Sequence, residues 1–119
     1  MRIIGTGIDI IEIERIRKVS QRNPAFLKRV FSKEELGYAL KSKKKWERLA
    51  VRFAAKEAVW KALRGRQQVA LRGISVSRAA NGEPWVNLKT LGLPKGWKAS
   101  LSLSHNDTHA VAHCLVYAE

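Results

Sequence analysis

Asp9 and Glu57 are the side chains of this sequence best placed to do chemistry. Asp9 interrupts the apolar run Ile3-Ile-Gly-Thr-Gly-Ile-Asp-Ile-Ile11, where an acid is costly to bury without a partner. Glu57 lies in the helical stretch Arg52-Phe-Ala-Ala-Lys-Glu-Ala-Val-Trp-Lys-Ala62. Basic partners abundantly surround both, with 23 Lys plus Arg against 10 Asp plus Glu. Two acids set on framework elements therefore fit either structural salt bridges or a shared hard cation. Mg2+ would suit the second case, because it takes one or two carboxylates and completes its shell with water and phosphate.

The elements that must position these acids can be read from periodicity. Residues 3–11 predict a buried strand in which Gly5 and Gly7 present bare backbone on the face that carries Asp9. Ile13 and Ile16 then follow helical spacing, and Asn23-Pro24 opens a helix with proline at its first position. Ser32-Lys-Glu-Glu35 has the form of a capping box, which makes Glu35 a cap rather than a catalyst, and a third helix continues through Leu36, Ala39 and Leu40. A basic loop over 41–45 leads to a long helix from Trp46 to Arg64, with Gly65 as its C-cap. Val51, Ala55, Ala58, Val59 and Ala62 form its apolar stripe. Glu57 and Lys61 share one edge of that stripe, and Arg52 and Lys56 the other. Small Ala54, Ala55 and Ala58 let another backbone approach, as suits a helix packed on a sheet.

The second half reads as strands. Ile74–Arg78 and Trp85–Leu88 flank Asn81-Gly82, a hairpin signal, and Pro84 restricts the second strand to an edge or a bulge. Residues 92–96 make a turn-rich connection. Trp97, Ala99, Leu101 and Leu103 alternate, and Asn106-Asp107 turns the chain into a last strand from His109 to Tyr117. Helices early and antiparallel strands late predict an α+β fold, helices packed on an antiparallel sheet, with residues 1–119 as one domain. A chain of 119 residues should bury roughly two-thirds of its unfolded surface. The single Cys114 excludes an internal disulfide, and its apolar alternation with Ala110, Ala112 and Val116 predicts a buried, inert thiol. His105, His109 and His113 recur every four residues, but strands split by a turn do not bring such a spacing together as a zinc site. No apolar run reaches membrane-spanning length and no signal-peptide pattern opens the sequence, so a cytoplasmic location is expected. The net charge of +13 predicts an acidic partner, whether nucleic acid, an acidic protein or a polyphosphate ligand.

Three stretches, in this order and at these separations, resemble one family. They are Gly7-Ile-Asp-Ile-Ile-Glu-Ile-Glu-Arg-Ile16, Arg52-Phe-Ala-Ala-Lys-Glu-Ala-Val-Trp-Lys-Ala-Leu63 and Leu101-Ser-Leu-Ser-His105. The sequence resembles the holo-[acyl-carrier-protein] synthases, small 4'-phosphopantetheinyl transferases of fatty-acid biosynthesis. The resemblance implies Mg2+-dependent transfer of 4'-phosphopantetheine from coenzyme A to a serine of acyl carrier protein, with release of adenosine 3',5'-bisphosphate. It implies that Asp9 and Glu57 hold the Mg2+, and that Lys61 contacts the coenzyme A phosphates and aids transfer. Arg52 and His105 would line the coenzyme A site, and Arg15, Arg22 and Arg29 would form the carrier-protein surface. The base for the serine would be Glu57 or a metal-bound water. Short members form homotrimers, with each active site shared between neighbours.

The chemistry asks for these residue types. Phosphoryl-type transfer needs in-line positioning and charge neutralisation more than covalent help. Lys61, one turn from Glu57, adds a point charge without competing for the cation, although the same spacing would let it pair with Glu57 on the helix surface. The basic crowd of Arg15, Arg17, Lys18, Arg22, Lys28 and Arg29 suits an acidic carrier protein. One stretch departs from the family: its glycine-rich turn after the central helix reads Leu63-Arg-Gly-Arg-Gln-Gln68 here. Arg64 or Arg66 would have to reach a phosphate in its place. The rival expectation is a basic nucleic-acid-binding module without catalysis, which lacks a recognisable binding signature and an aromatic sheet face.

Overall fold

The structure, a computed structural model, describes residues 1–64 and 69–119. The chain runs β1 (Arg2–Glu12), α1 (Ile13–Arg22), α2 (Ala25–Val30), α3 (Lys33–Ala39), α4 (Lys45–Leu63), β2 (Val76–Arg78), β3 (Pro84–Val86), β4 (Trp97–His105) and β5 (His109–Ala118). Short 3-10 turns stand at Leu71–Gly73 and Leu88–Leu91. β1, β5 and β4 form an antiparallel sheet in that order, and β2 pairs with β3 as a separate hairpin. The α+β expectation holds.

α4 is the axis of the fold, and glycine is what lets it lie on the sheet. A Cβ at Gly5 would stand 2.0 Å from Ala62 O, and one at Gly7 only 1.9 Å from Ala58 O. Backbone thus packs on backbone, so Gly5 and Gly7 serve the helix as well as the face of Asp9. A register shift between Ile3 and Gly5 turns Gly5, Gly7, Asp9 and Ile11 inward. One end of α4 packs with Ile74, Val76, Val86, Ala112, Cys114 and Val116. The other packs with Ile13, Ile16, Phe31, Ala39 and Ala110.

Several expectations need correction. α4 has no single apolar stripe with Arg52 and Lys56 at its edge, because both are buried, Lys56 completely. Lys56 Nζ donates to Glu35 Oε1 at 2.7 Å. The capping box of α3 is present, with Glu35 N donating to Ser32 Oγ and Ser32 N to Glu35 Oε1, so Glu35 is a cap and an ion-pair partner at once. Burial lowers the pKa of the Lys56 ammonium, and Glu35 opposes that shift. β1 is buried on one face only: Ile8 and Ile10 are 63% and 64% exposed on the other. α4 closes on Arg64 in the left-handed region (φ 52°), while Gly65 and Arg66 lie outside the described residues. Pro24 stands at the N-cap of α2 rather than inside it. The hairpin strands are shorter than expected, because Leu88 turns into a 3-10 element. Gly82 supplies the positive φ (88°) that its turn requires.

The β4–β5 turn is held by Asn106, whose Oδ1 accepts from the backbone N–H of Thr108 and of His109 at 2.9 and 2.8 Å. Ile13 N donates to Thr108 O at 2.8 Å, tying the start of α1 to this turn. Cys114 is buried on β5, and desolvation pushes its thiol pKa up to about 12.

Candidate active site

Asp9 enters the interior because the pleat that buries Gly5 and Gly7 also carries it inward, opposite small Ala112 on β5. Its side chain is 14% exposed. Glu57 and Lys61 leave α4 one turn apart on the side facing it. Lys61 Nζ donates to Asp9 Oδ1 and to Ile8 O, each at 3.0 Å. The spacing-based alternative, a Lys61–Glu57 pair on the helix surface, is not the ion pair found. Asp9 and Glu57 line one cleft of about 370 Å³ together with Arg15, Ile11, Phe26 and Phe53. Burial raises the pKa of Glu57, the charge of Asp9 raises it further, and Lys61 opposes both.

This geometry tests whether a cation would fit. A carboxylate such as Glu57, whose charging cost is raised by burial and then by a second carboxylate, invites a positive charge beside it. Lys61 supplies part of it but is 46% exposed, and an ion pair so open to solvent is worth at most about 1 kcal/mol. A divalent ion can therefore displace it from Asp9. No cluster of three or more His, Cys, Asp or Glu side chains suited to a metal occurs among the described residues. A two-carboxylate site matches a cation that keeps water and phosphate ligands, and Mg2+ is of that kind.

Arg52 and His105 come together elsewhere. They line a pocket of about 210 Å³ with Tyr38, Lys44, Arg48 and Arg78, where Glu47 is the one acid. The guanidinium carbons of Arg52 and Arg48 lie 4.1 and 4.4 Å from the Tyr38 ring centroid. Buried Arg52 Nε has no hydrogen-bond partner among the described residues, and burial lowers the Arg52 pKa. Such a pocket is suited to an anion. Sequence reading missed Tyr38, Arg48 and Arg78 here; the i,i+4 ladder Lys44, Arg48, Arg52, Lys56 was the available signal. Arg52 and Glu57 are five residues apart on α4, so they project from different sides and do not share a cleft within one chain. Arg15 reaches the carboxylate cleft, whereas Arg22 and Arg29 are exposed at the ends of α1 and α2, outside it. His109 Nδ1 lies 2.9 Å from Thr108 Oγ1, and His113 is exposed on the outer face of β5.

The model of the 4'-phosphopantetheinyl transferase superfamily matches residues 5–114. The chain is 42% identical over 123 residues to the holo-[acyl-carrier-protein] synthase of Clostridium tetani, covering 98% of each. Among solved structures, it matches the holo-(acyl-carrier-protein) synthase of Bacillus anthracis in complex with CoA (3',5'-ADP) at a TM-score of 0.84 and 32% identity, over 100% of both chains. It matches the Helicobacter pylori holo-[acyl-carrier-protein] synthase in complex with coenzyme A at a TM-score of 0.78 and 30% identity, over 94% and 99%. The chain belongs to the 4'-phosphopantetheinyl transferase superfamily. It is thus an enzyme of the transferase class, and the rival nucleic-acid-binding module is not favoured.

Proposed function

We propose that this chain is a holo-[acyl-carrier-protein] synthase, a single-domain enzyme that works in the cytoplasm in fatty-acid biosynthesis. It transfers 4'-phosphopantetheine from coenzyme A to a serine of apo acyl carrier protein. The serine Oγ forms a bond to the pantetheine-linked phosphorus, the bridging P–O bond breaks, and adenosine 3',5'-bisphosphate leaves with the bridging oxygen. The observation that carries this reading is the convergence of Asp9 and Glu57 in one cleft, with Lys61 Nζ 3.0 Å from Asp9 Oδ1.

Asp9 and Glu57 would hold Mg2+. When bound, that ion supplies charge neutralisation at the diphosphate. Lys61, released from Asp9, turns its ammonium to the phosphate oxygens and stabilises the charge that builds on the departing nucleotide. Glu57 lines the cleft where the serine would enter and would take its proton. The apolar wall of Ile11, Phe26 and Phe53 keeps water from the reacting atoms. The basic pocket of Arg52 and His105 would take a phosphate of coenzyme A.

The two half-sites open on different sides of α4, which supports a site completed by a neighbouring subunit. A homotrimer would bury the outer sheet face, where Ile8 and Ile10 are exposed beside Val111 and Leu115. Exposed Arg15, Arg22 and Arg29 would receive the acidic carrier protein.

Incubation of the chain with coenzyme A, Mg2+ and apo carrier protein tests the proposal. Mass spectrometry should find one phosphopantetheine added per carrier, abolished by EDTA. An unmodified carrier, with the same preparation retained on nucleic acid at moderate salt, would contradict it.

A further inference from the structure

The ion pair of Lys56 and Glu35 lies outside the carboxylate cleft, and no step above uses it. Neither side chain has exposed area. Lys56 Nζ donates to Glu35 Oε1 at 2.7 Å and to Ile74 O at 2.5 Å. Glu35 also accepts from the backbone N–H of Ser32 at 2.8 Å and of Val76 at 3.0 Å. Ser32 and Ser75 join their hydroxyls at 2.6 Å beside it. One carboxylate thus binds the start of α3, the middle of α4 and the start of β2. Such a pair is a poor source of stability, since a well-packed apolar replacement is often neutral or better; its best-attested use is to fix a register.

The register at stake is the rotation of α4 about its axis. At roughly 100° per residue, Glu57 projects about 100° from Lys56, and Lys61 about 40° beyond Glu57. On the far side of the helix, Ala58 and Ala62 rest on the bare backbone of Gly7 and Gly5. Apolar packing holds the helix against its neighbours, through Ala58 and Ala62 on β1 and through buried Leu49, Val51, Val59 and Leu63 elsewhere. The directional bonds of Lys56 add a fixed angle to that packing. The magnitude matters: a rotation of about 20°, at a side-chain radius of about 6 Å, moves a carboxylate by about 2 Å. That shift equals a whole Mg2+–oxygen distance, and this ion tolerates little departure from octahedral geometry.

We propose that Lys56, clamped by Glu35, is a positioning residue that sets the rotation of α4 and so keeps Glu57 in reach of a divalent cation held with Asp9. The inference rests on the metal reading of the cleft and deepens it.

The test compares the parent chain, Asp9→Asn, the double variant Glu35→Gln/Lys56→Met, and Glu35→Asp, which keeps the charge but withdraws it by one methylene. Mn2+ is the probe, its free ion read by electron paramagnetic resonance with coenzyme A present and a coenzyme-A-only blank. Both clamp variants should melt cooperatively and bind Mn2+ about 10-fold more weakly than the parent, as when an outer-shell partner of a metal site is lost. Transfer by them should show a lower kcat with an unchanged KM for carrier protein. A clamp of purely structural value would lower the melting temperature and leave Mn2+ affinity alone, and that result overturns the proposal. Should the double variant fail to fold, Glu35→Asp decides by the same two readouts. A parent that binds no more Mn2+ than Asp9→Asn refutes the metal reading and this inference together. A parent that binds, beside folded clamp variants of equal affinity, refutes this inference alone.

Discussion

Glu57 pays for its place in the cleft with an unfavourable charge, and that cost has a sign that can be measured. Desolvation and Asp9 raise its pKa, so the folded chain holds this proton more tightly than the unfolded chain does. The contribution to stability is full below the ordinary carboxylate range and is lost as the pH rises through the raised value. Glu57→Gln should therefore raise the melting temperature of the metal-free chain at pH 7. The gain should fade as the pH falls into the carboxylate range, and a gain that is independent of pH would contradict the assignment. Over the same window, metal affinity of the parent should climb with pH, because the ion requires the carboxylate. At this scale the sequence was legible for Asp9, since an acid in an apolar run is a visible cost, whereas Glu57 stands out only once α4 carries it into the same cleft. Lys56 was misread, because helical spacing alone cannot show that α3 and β2 cover that side of α4.

The elements were read largely from periodicity, and the long-range contacts between them were not. The extents of β1, α4, β4 and β5 follow directly from alternation, helical spacing and the Asn106 turn. The short hairpin strands β2 and β3 were overextended, because Ile74 and Leu88 are buried as core residues outside the strand pairing. The role of Gly5 and Gly7 against α4 depends on a contact some fifty residues distant, which no local pattern reveals. It yields a strong expectation. Gly7→Ala places a methyl group 1.9 Å from Ala58 O, where backbone and not a flexible side chain must give way. It should cost about 3 kcal/mol in chemical denaturation and reduce transfer by lifting α4 from Asp9. Ser32→Ala, which removes the side-chain cap of α3 and the hydroxyl contact with Ser75, should cost about 1 kcal/mol and spare the rate. Equal losses of stability in the two variants would deny the glycine contact its importance.

For the whole molecule, charge and shape point outward. The net charge of +13 and the exposed arginines of α1 and α2 suit an acidic protein substrate. Arg22→Glu or Arg29→Glu should raise KM for carrier protein and leave coenzyme A affinity nearly unchanged; equal damage to both substrates would give the patch another role. Ile10→Asp should break the assembly proposed for the outer sheet face, as light scattering would report, and lower activity with it. Assembly was legible in the sequence through the family resemblance alone: the residues of β1 read as buried, and its exposed outer face is what a neighbouring chain would cover. The central claim is that Asp9 and Glu57 together grip the ion on which transfer depends. It is tested most directly by the initial rate of carrier modification against Mg2+ concentration for the parent, Asp9→Asn and Glu57→Gln, with folding checked by circular dichroism. The parent should show a saturable Mg2+ dependence, and each folded variant a loss of roughly 100-fold or more. Folded variants that keep the parent's rate and Mg2+ dependence would contradict that claim.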